Sequence, residues 1–159
     1  MSRRAEPDFK VLSDEKLVEA RIAIEAEMRK RHLEFSVGLM GEKLVIDYFN
    51  STPRLPGLLR AERGTKNVDA TSRAGDRYTI KTLLNAQKTG AIYDEHRDAK
   101  KPLFEYLLLV RLDEEYRLKS IHRLSWEQFV KVRKWDKRMT AWYLTWSTAT
   151  LAAAEAILG

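Results

Sequence analysis

The segment EYLLLV, residues 105–110, is apolar at four consecutive positions from Leu107 to Val110, and no other stretch limits the fold as much. A strand with one wet face alternates apolar and polar residues, whereas an unbroken apolar strand has to be covered on both faces. A second strand pattern, YRLKSIHRL, follows across Glu114-Glu115 and reads as the other arm of a hairpin. Such a pair needs layers packed on both sides of a sheet. The apolar run is also far too short to cross a bilayer.

The remaining elements follow from capping and periodicity. Ser13 can cap a helix whose apolar positions Leu17, Ala20, Ile24 and Met28 recur at steps of three and four. A second helical pattern runs from about Val37 to Phe49, and STPRLPG stops it. LLRAE (58–62) reads as a short strand, and NVDATS and RYTIKTL as a hairpin around Ala74-Gly75-Asp76. Residues 84–104 are polar and aperiodic, and a connection of that length is usually functional or mobile. Ser125-x-x-Gln128 is a capping box that opens a helix to about Lys134. WYLTWS is expected to be a final strand and TATLAAAEAIL a final helix. The order predicts an α/β or α+β fold, a central mixed β-sheet flanked by helices. Residues 1–12 read as a loose leader and 13–159 as a single domain.

A chain of 159 residues with 44% hydrophobic and 33% charged residues is globular in composition. It has no cysteine, which removes disulfides and thiolate zinc sites. Its three histidines, at positions 32, 96 and 122, lack metal-site spacing. The N-terminal MSRRAEPDFK has no apolar signal segment, and together these features predict a cytoplasmic protein with no membrane partner. The formal net charge of +6 favours an anionic partner, most commonly nucleic acid.

Within the hairpin NVDATSRAGDRYTIKTL, Asp69 and Lys81 stand inside strands, where charge is costly unless paired, bound to metal or turned to solvent. Alternation sets Arg77, Thr79, Lys81 and Leu83 on one face and Tyr78, Ile80 and Thr82 on the other. A three-residue turn at Ala74–Asp76 places Asp69 opposite Lys81, a five-residue turn places it opposite Thr79, and a two-residue turn parts them. The expectation adopted is that the Asp69 and Lys81 side chains meet. An ordinary cross-strand pair on a wet face, worth roughly 0.2–1 kcal/mol, explains them equally well if they are taken alone. Glu42 sharpens the choice. It falls outside the polar arc of Lys43, Asp47 and Asn50, among Leu39, Val45, Ile46 and Phe49. A carboxylate there is neutral, paired or holding a cation.

A Glu on the first core helix (GEKLVIDYF), an Asp in a strand (NVDA) and a Lys at the end of the next strand (YTIKT) resemble the PD-(D/E)xK, or restriction-endonuclease-like, nuclease superfamily. The resemblance spans roughly residues 37–110, with the later helix and strand matching by order alone. It implies that Glu42 and Asp69 bind Mg²⁺, with Mn²⁺ as a substitute, while Lys81 activates or orients water against a DNA phosphodiester. It also implies a homodimer, with the charged first helix as a candidate contact. Thr79 departs from the pattern, for it stands two residues before the lysine where the family usually has an acid or Gln. Glu42 and Asp69 could serve alone, Asp94 or Glu95 in the long loop could replace that acid, or the fold could be a catalytically impaired DNA- or protein-binding module. Lys88 and Tyr93 in the loop, and Lys131, Arg133, Lys134, Lys137 and Arg138 in KVRKWDKR, are candidate nucleic-acid contacts. Such a basic run is more often a solvated helix face, and the four Trp residues read as core or interface.

Overall fold

The computed structural model describes residues 7–33, 36–62, 64–94 and 97–159. The chain divides into two compact units, Met1–Ser36 and Val37–Gly159, a division at which the sequence placed no boundary.

In the first unit a 3-10 turn, Phe9–Val11, precedes helix α1, Asp14–Lys30. The Ser13 hydroxyl accepts the Lys16 amide at 3.2 Å, as a cap should. Asp14 and Glu15 in the first turn and Arg29 and Lys30 in the last complement the helix dipole. Leu17, Ala20, Ile24 and Met28 do share one face, where with Phe9 they line an apolar groove of about 560 Å³.

The second unit is a mixed α/β layer structure. Its elements are α2 (Val37–Ser51), β1 (Leu58–Arg60), β2 (Ala70–Ser72), β3 (Arg77–Leu83), β4 (Tyr106–Leu112), β5 (Leu118–Ser125), α3 (Trp126–Val132), β6 (Lys134–Asp136), β7 (Ala141–Tyr143), α4 (Thr148–Ala153) and β8 (Glu155–Leu158). Six strands form one sheet in the order β1-β2-β3-β4-β5-β8. Only β3 and β4 run parallel; the other neighbours are antiparallel. The double coverage expected of β4 holds, because Leu107, Leu108, Leu109 and Val110 are all 0% exposed. Alternation sends Leu108 and Val110 into one cluster with Val45, Ile46 and Phe49 of α2. Leu107 and Leu109 enter the opposite cluster with Phe104, Trp126, Phe129 and Leu144.

Three expectations change after Ser125. The capping box forms, but α3 ends at Val132 and Lys134–Asp136 is a strand, so KVRKWDKR is not one helical face. Of WYLTWS only Trp142 and Tyr143 lie in a strand, β7, which pairs with β6 in a separate two-stranded sheet. The Ala-rich tail makes only the six-residue α4 before turning into β8, which joins the main sheet against β5. Alanine favours helix by tenths of a kcal/mol per residue. Pairing an open sheet edge and burying Ile157 to 6% exposure outweighs that preference.

The connection between β3 and β4 is ordered by a neighbour remote in sequence. Thr89 N–H donates to Leu144 O at 2.9 Å, and Ile92 and Trp142 exchange both backbone bonds at 2.8 and 2.9 Å. Gly90 and Ala91 lie between these rungs.

Candidate functional site

Helix α2 reaches the sheet unusually closely. A Cβ added at Gly41 would lie 1.9 Å from Thr82 Oγ1, so only glycine allows that approach. Gly41, Val45, Ile46 and Phe49 are buried against the sheet, and Glu42, the next residue, is carried to its margin with its side chain 18% exposed. Lys43 and Asp47 pair with each other at 2.8 Å on the outer face. Asn50 clamps β1 in place: its Nδ2 donates to Leu58 O at 3.0 Å and its Oδ1 accepts from Leu58 N at 2.7 Å. This holds Arg60, at the end of β1, with Nη2 4.0 Å from Glu42 Oε2.

The hairpin register corrects the expected facing of Asp69 and Lys81. Thr71 pairs with Arg77 and Ala70 with Tyr78, which continues to Asp69 opposite Thr79. The turn runs over Arg73–Gly75 because Gly75, at φ 88°, takes the left-handed position that closes a three-residue loop. Asp69 sits just before β2, where that strand leaves β3. Its Oδ2 accepts the Ile80 amide at 2.7 Å and the Thr79 hydroxyl at 3.3 Å. The carboxylate thus takes the place of a strand partner for β3. Lys81 lies two residues further along β3, past the start of β2, and its Nζ donates to Ala91 O at 3.0 Å.

The three groups interact electrostatically. Burial raises the Glu42 carboxyl to about 7; the neighbouring Asp69 charge and a hydrogen bond with Asp69 add to this, and Arg60 and Lys81 oppose it. Burial lowers the Lys81 ammonium, with the Asp69 and Glu42 charges working against it. Glu42, Asp69 and Lys81 therefore gather where β2 peels from β3. Among the described residues no third His, Cys, Asp or Glu joins the two acids. Two adjacent carboxyls offering only oxygen donors fit a hard divalent cation, which takes one or two protein carboxylates and keeps water for the rest.

The acid proposed to stand in for Thr79 does not arrive from Asp94, which is 7% exposed, accepts the Arg97 amide at 3.1 Å on Oδ1 and acts by its charge on Arg133. Glu95 lies outside the described residues. Thr79 itself is buried, at 2% exposure.

The candidate nucleic-acid contacts separate into distinct settings. Lys131, Lys134, Lys137 and Arg138 are exposed. Arg133 is not like them: its guanidinium stacks on Trp142, with the two 3.8 Å apart, and lies within 6 Å of the Trp126 and Phe129 rings. Tyr93 is 45% exposed, and its carbonyl accepts Asn67 Nδ2 at 2.9 Å. Lys88 Nζ lies over the Tyr143 ring, 5.5 Å from its centre. Of the tryptophans, Trp126 is core, Trp142 and Trp146 pack on the same cluster, and Trp135 meets Trp142 edge to face.

Arg60 and the Ala91 carbonyl were missed in the sequence. Both arrive through non-local pairing, and neither stands at a spacing that marks it. No protein-family model and no curated protein sequence matches the chain. Among the described residues no helix is long and apolar enough to cross a membrane.

Proposed function

We propose that the chain is a Mg²⁺-dependent DNA endonuclease of the restriction-endonuclease-like kind, acting in the cytoplasm as a homodimer. One observation carries this reading: Asp69 sits on the Ile80 amide beside Lys81, and its charge and those of Glu42 and Lys81 act on one another at the margin of a mixed sheet. Glu42 and Asp69 would hold the cation, with Mn²⁺ as a substitute. When bound, the cation supplies Lewis acidity and neutralises charge on the phosphoryl oxygens.

The protein's own groups have separable tasks. Lys81, held by the Ala91 carbonyl, positions a water and stabilises charge beside it. The water oxygen forms a bond to phosphorus as the bond to the leaving sugar oxygen breaks. The Ile80 amide and Thr79 hydroxyl hold Asp69 in one rotamer, and Arg60 balances Glu42 from the neighbouring strand.

Glu42→Ala, Asp69→Ala and Lys81→Ala are each expected to fold and to lose metal-dependent nicking of supercoiled plasmid by at least about a hundredfold, in line with loss of an electrostatic or metal-holding group. Full nicking by all three variants would end the proposal.

A second reading is favoured by Thr79, whose hydroxyl fills the place of an acid and which no third carboxylate compensates among the described residues. The fold then serves as a DNA- or protein-binding module. Plasmid binding in EDTA without cleavage in Mg²⁺ or Mn²⁺ selects this alternative.

A further inference from the structure

Beside Lys81 lies a cavity of about 350 Å³ walled by the loop Lys88–Ala91 on one side and by the β6–β7 hairpin, from Asp136 to Tyr143, on the other. We propose that this cavity is a phosphate subsite for the substrate strand, seating a phosphodiester next to the one that reacts. The proposal deepens the nuclease reading and rests on it for the direction in which the strand runs.

Four observations converge. The cavity and the candidate site share a wall, because Ala91 lines the cavity while its carbonyl accepts the Lys81 ammonium at 3.0 Å. Two cations, Lys88 and Arg138, line it from opposite segments, and both are exposed and able to meet an anion. Lys88 lies over the face of Tyr143, which holds the ammonium at the cavity wall without neutralising it. The one carboxylate in the lining, Asp136, is engaged by its own turn, for its Oδ1 accepts the Arg138 amide at 2.9 Å and the Met139 amide at 3.1 Å.

The walls are also built to persist. Thr89 Oγ1 accepts the Leu144 amide at 3.0 Å, and together with the rungs at Thr89 and Ile92 it ties the loop to β7 on both sides of Gly90-Ala91. Gly90 meets nothing within 4 Å of an added Cβ, so the loop approaches no other element there. The two cations favour an anionic ligand, and the Ala91 carbonyl joins the cavity to Lys81 of the candidate site. A nucleic-acid backbone that carries one phosphate at the site and the next in the cavity meets both conditions.

The test uses the full-length protein and a fluorescein-labelled DNA duplex, with affinity read by anisotropy across a salt series in EDTA, and cleavage read separately in Mg²⁺. Lys88→Ala and Arg138→Ala are each expected to weaken binding about five- to tenfold and to lower the slope of log affinity against log salt by about 1. Lys119→Ala, an exposed lysine on β5 away from the cavity lining, is the control and leaves the slope unchanged. Lys88→Arg keeps the charge and restores binding if the cavity reads phosphate. Cavity-dependent binding without cleavage upholds the subsite and overturns the nuclease reading. Cleavage with binding that ignores Lys88 and Arg138 overturns the subsite alone. Absence of salt-dependent binding overturns both.

Discussion

Glu42 shows most directly what its surroundings demand of a single residue. Its side chain is 18% exposed and shares its corner with Asp69. Its carboxyl titrates near 4.5 in an unfolded chain and near 7 in the folded one. Between those values the folded state binds more protons than the unfolded state, so stability falls as pH rises. The contribution of the protonated form is whole below pH 4.5 and is lost as pH passes through 7. Glu42→Gln keeps the shape and removes the titration. In EDTA at pH 8 the Gln variant is expected to resist urea better than the parent, with the difference closing by pH 5. An equal difference at both pH values would show that the carboxyl is not held protonated by its site. Glu42 was legible in the sequence because helical spacing alone surrounds it with Leu39, Val45, Ile46 and Phe49. Arg60 was not, since nothing local connects β1 to α2 until Asn50 clamps Leu58.

At the scale of the element, the site depends on how closely α2 lies on β3. Tyr78 and Ile80 turn toward α2 and are 1% and 5% exposed, while Leu83 faces the opposite cluster. That alternation was readable from RYTIKTL because strand side chains have period two. Asp69 faces Thr79, two residues short of the expected Lys81, because Gly75 can occupy more than one turn position and only the closed loop decides which. Gly41→Ala forces a methyl into Thr82, whose Oγ1 and Cβ lie 1.9 and 2.6 Å from the new atom. Overpacking of this kind costs about 1–3 kcal/mol. The variant is expected to unfold at lower urea and to nick plasmid more slowly, because Glu42 rides on the displaced turn. Unchanged midpoint and unchanged nicking together would mean that the close approach carries no function. The expected helix at TATLAAAEAIL failed for a related reason. Its alanines specify local helix weakly, and the open edge of β5 recruits Glu155–Leu158 as a strand instead.

Across the whole molecule, the unsatisfied surface lies on the first unit. No residue of α1 is buried, and Leu17, Val18, Ile22 and Ile24 are 45–59% exposed. A helix this long with an open apolar stripe gains from covering it. Its charges differ at the two ends, with Asp14 and Glu15 at the start and Arg29, Lys30 and Arg31 at the end. In the proposed homodimer, two copies in antiparallel register would bring each acidic end to a basic end. The expected outcome is a dimer in sedimentation equilibrium that Leu17→Glu combined with Ile24→Glu converts to monomer while the far-UV spectrum is kept. A parent protein that sediments as a monomer at every concentration would remove the homodimer from the proposed function.

The strand at Leu107–Val110, the amphipathic helix carrying Glu42, the Ser13 cap and the Ser125 capping box were determined locally, because burial on both faces, helical spacing and end chemistry act over a few residues. From them came the layered mixed sheet and the two acids and lysine to watch. Only the tertiary structure decided which neighbours those residues met: Asp69 against Thr79 and Ile80, Arg60 beside Glu42, the Ala91 carbonyl on Lys81, and the tail as a strand. Each of those outcomes depends on register between segments far apart in the chain, and register is set by packing and turn closure, which no local pattern encodes.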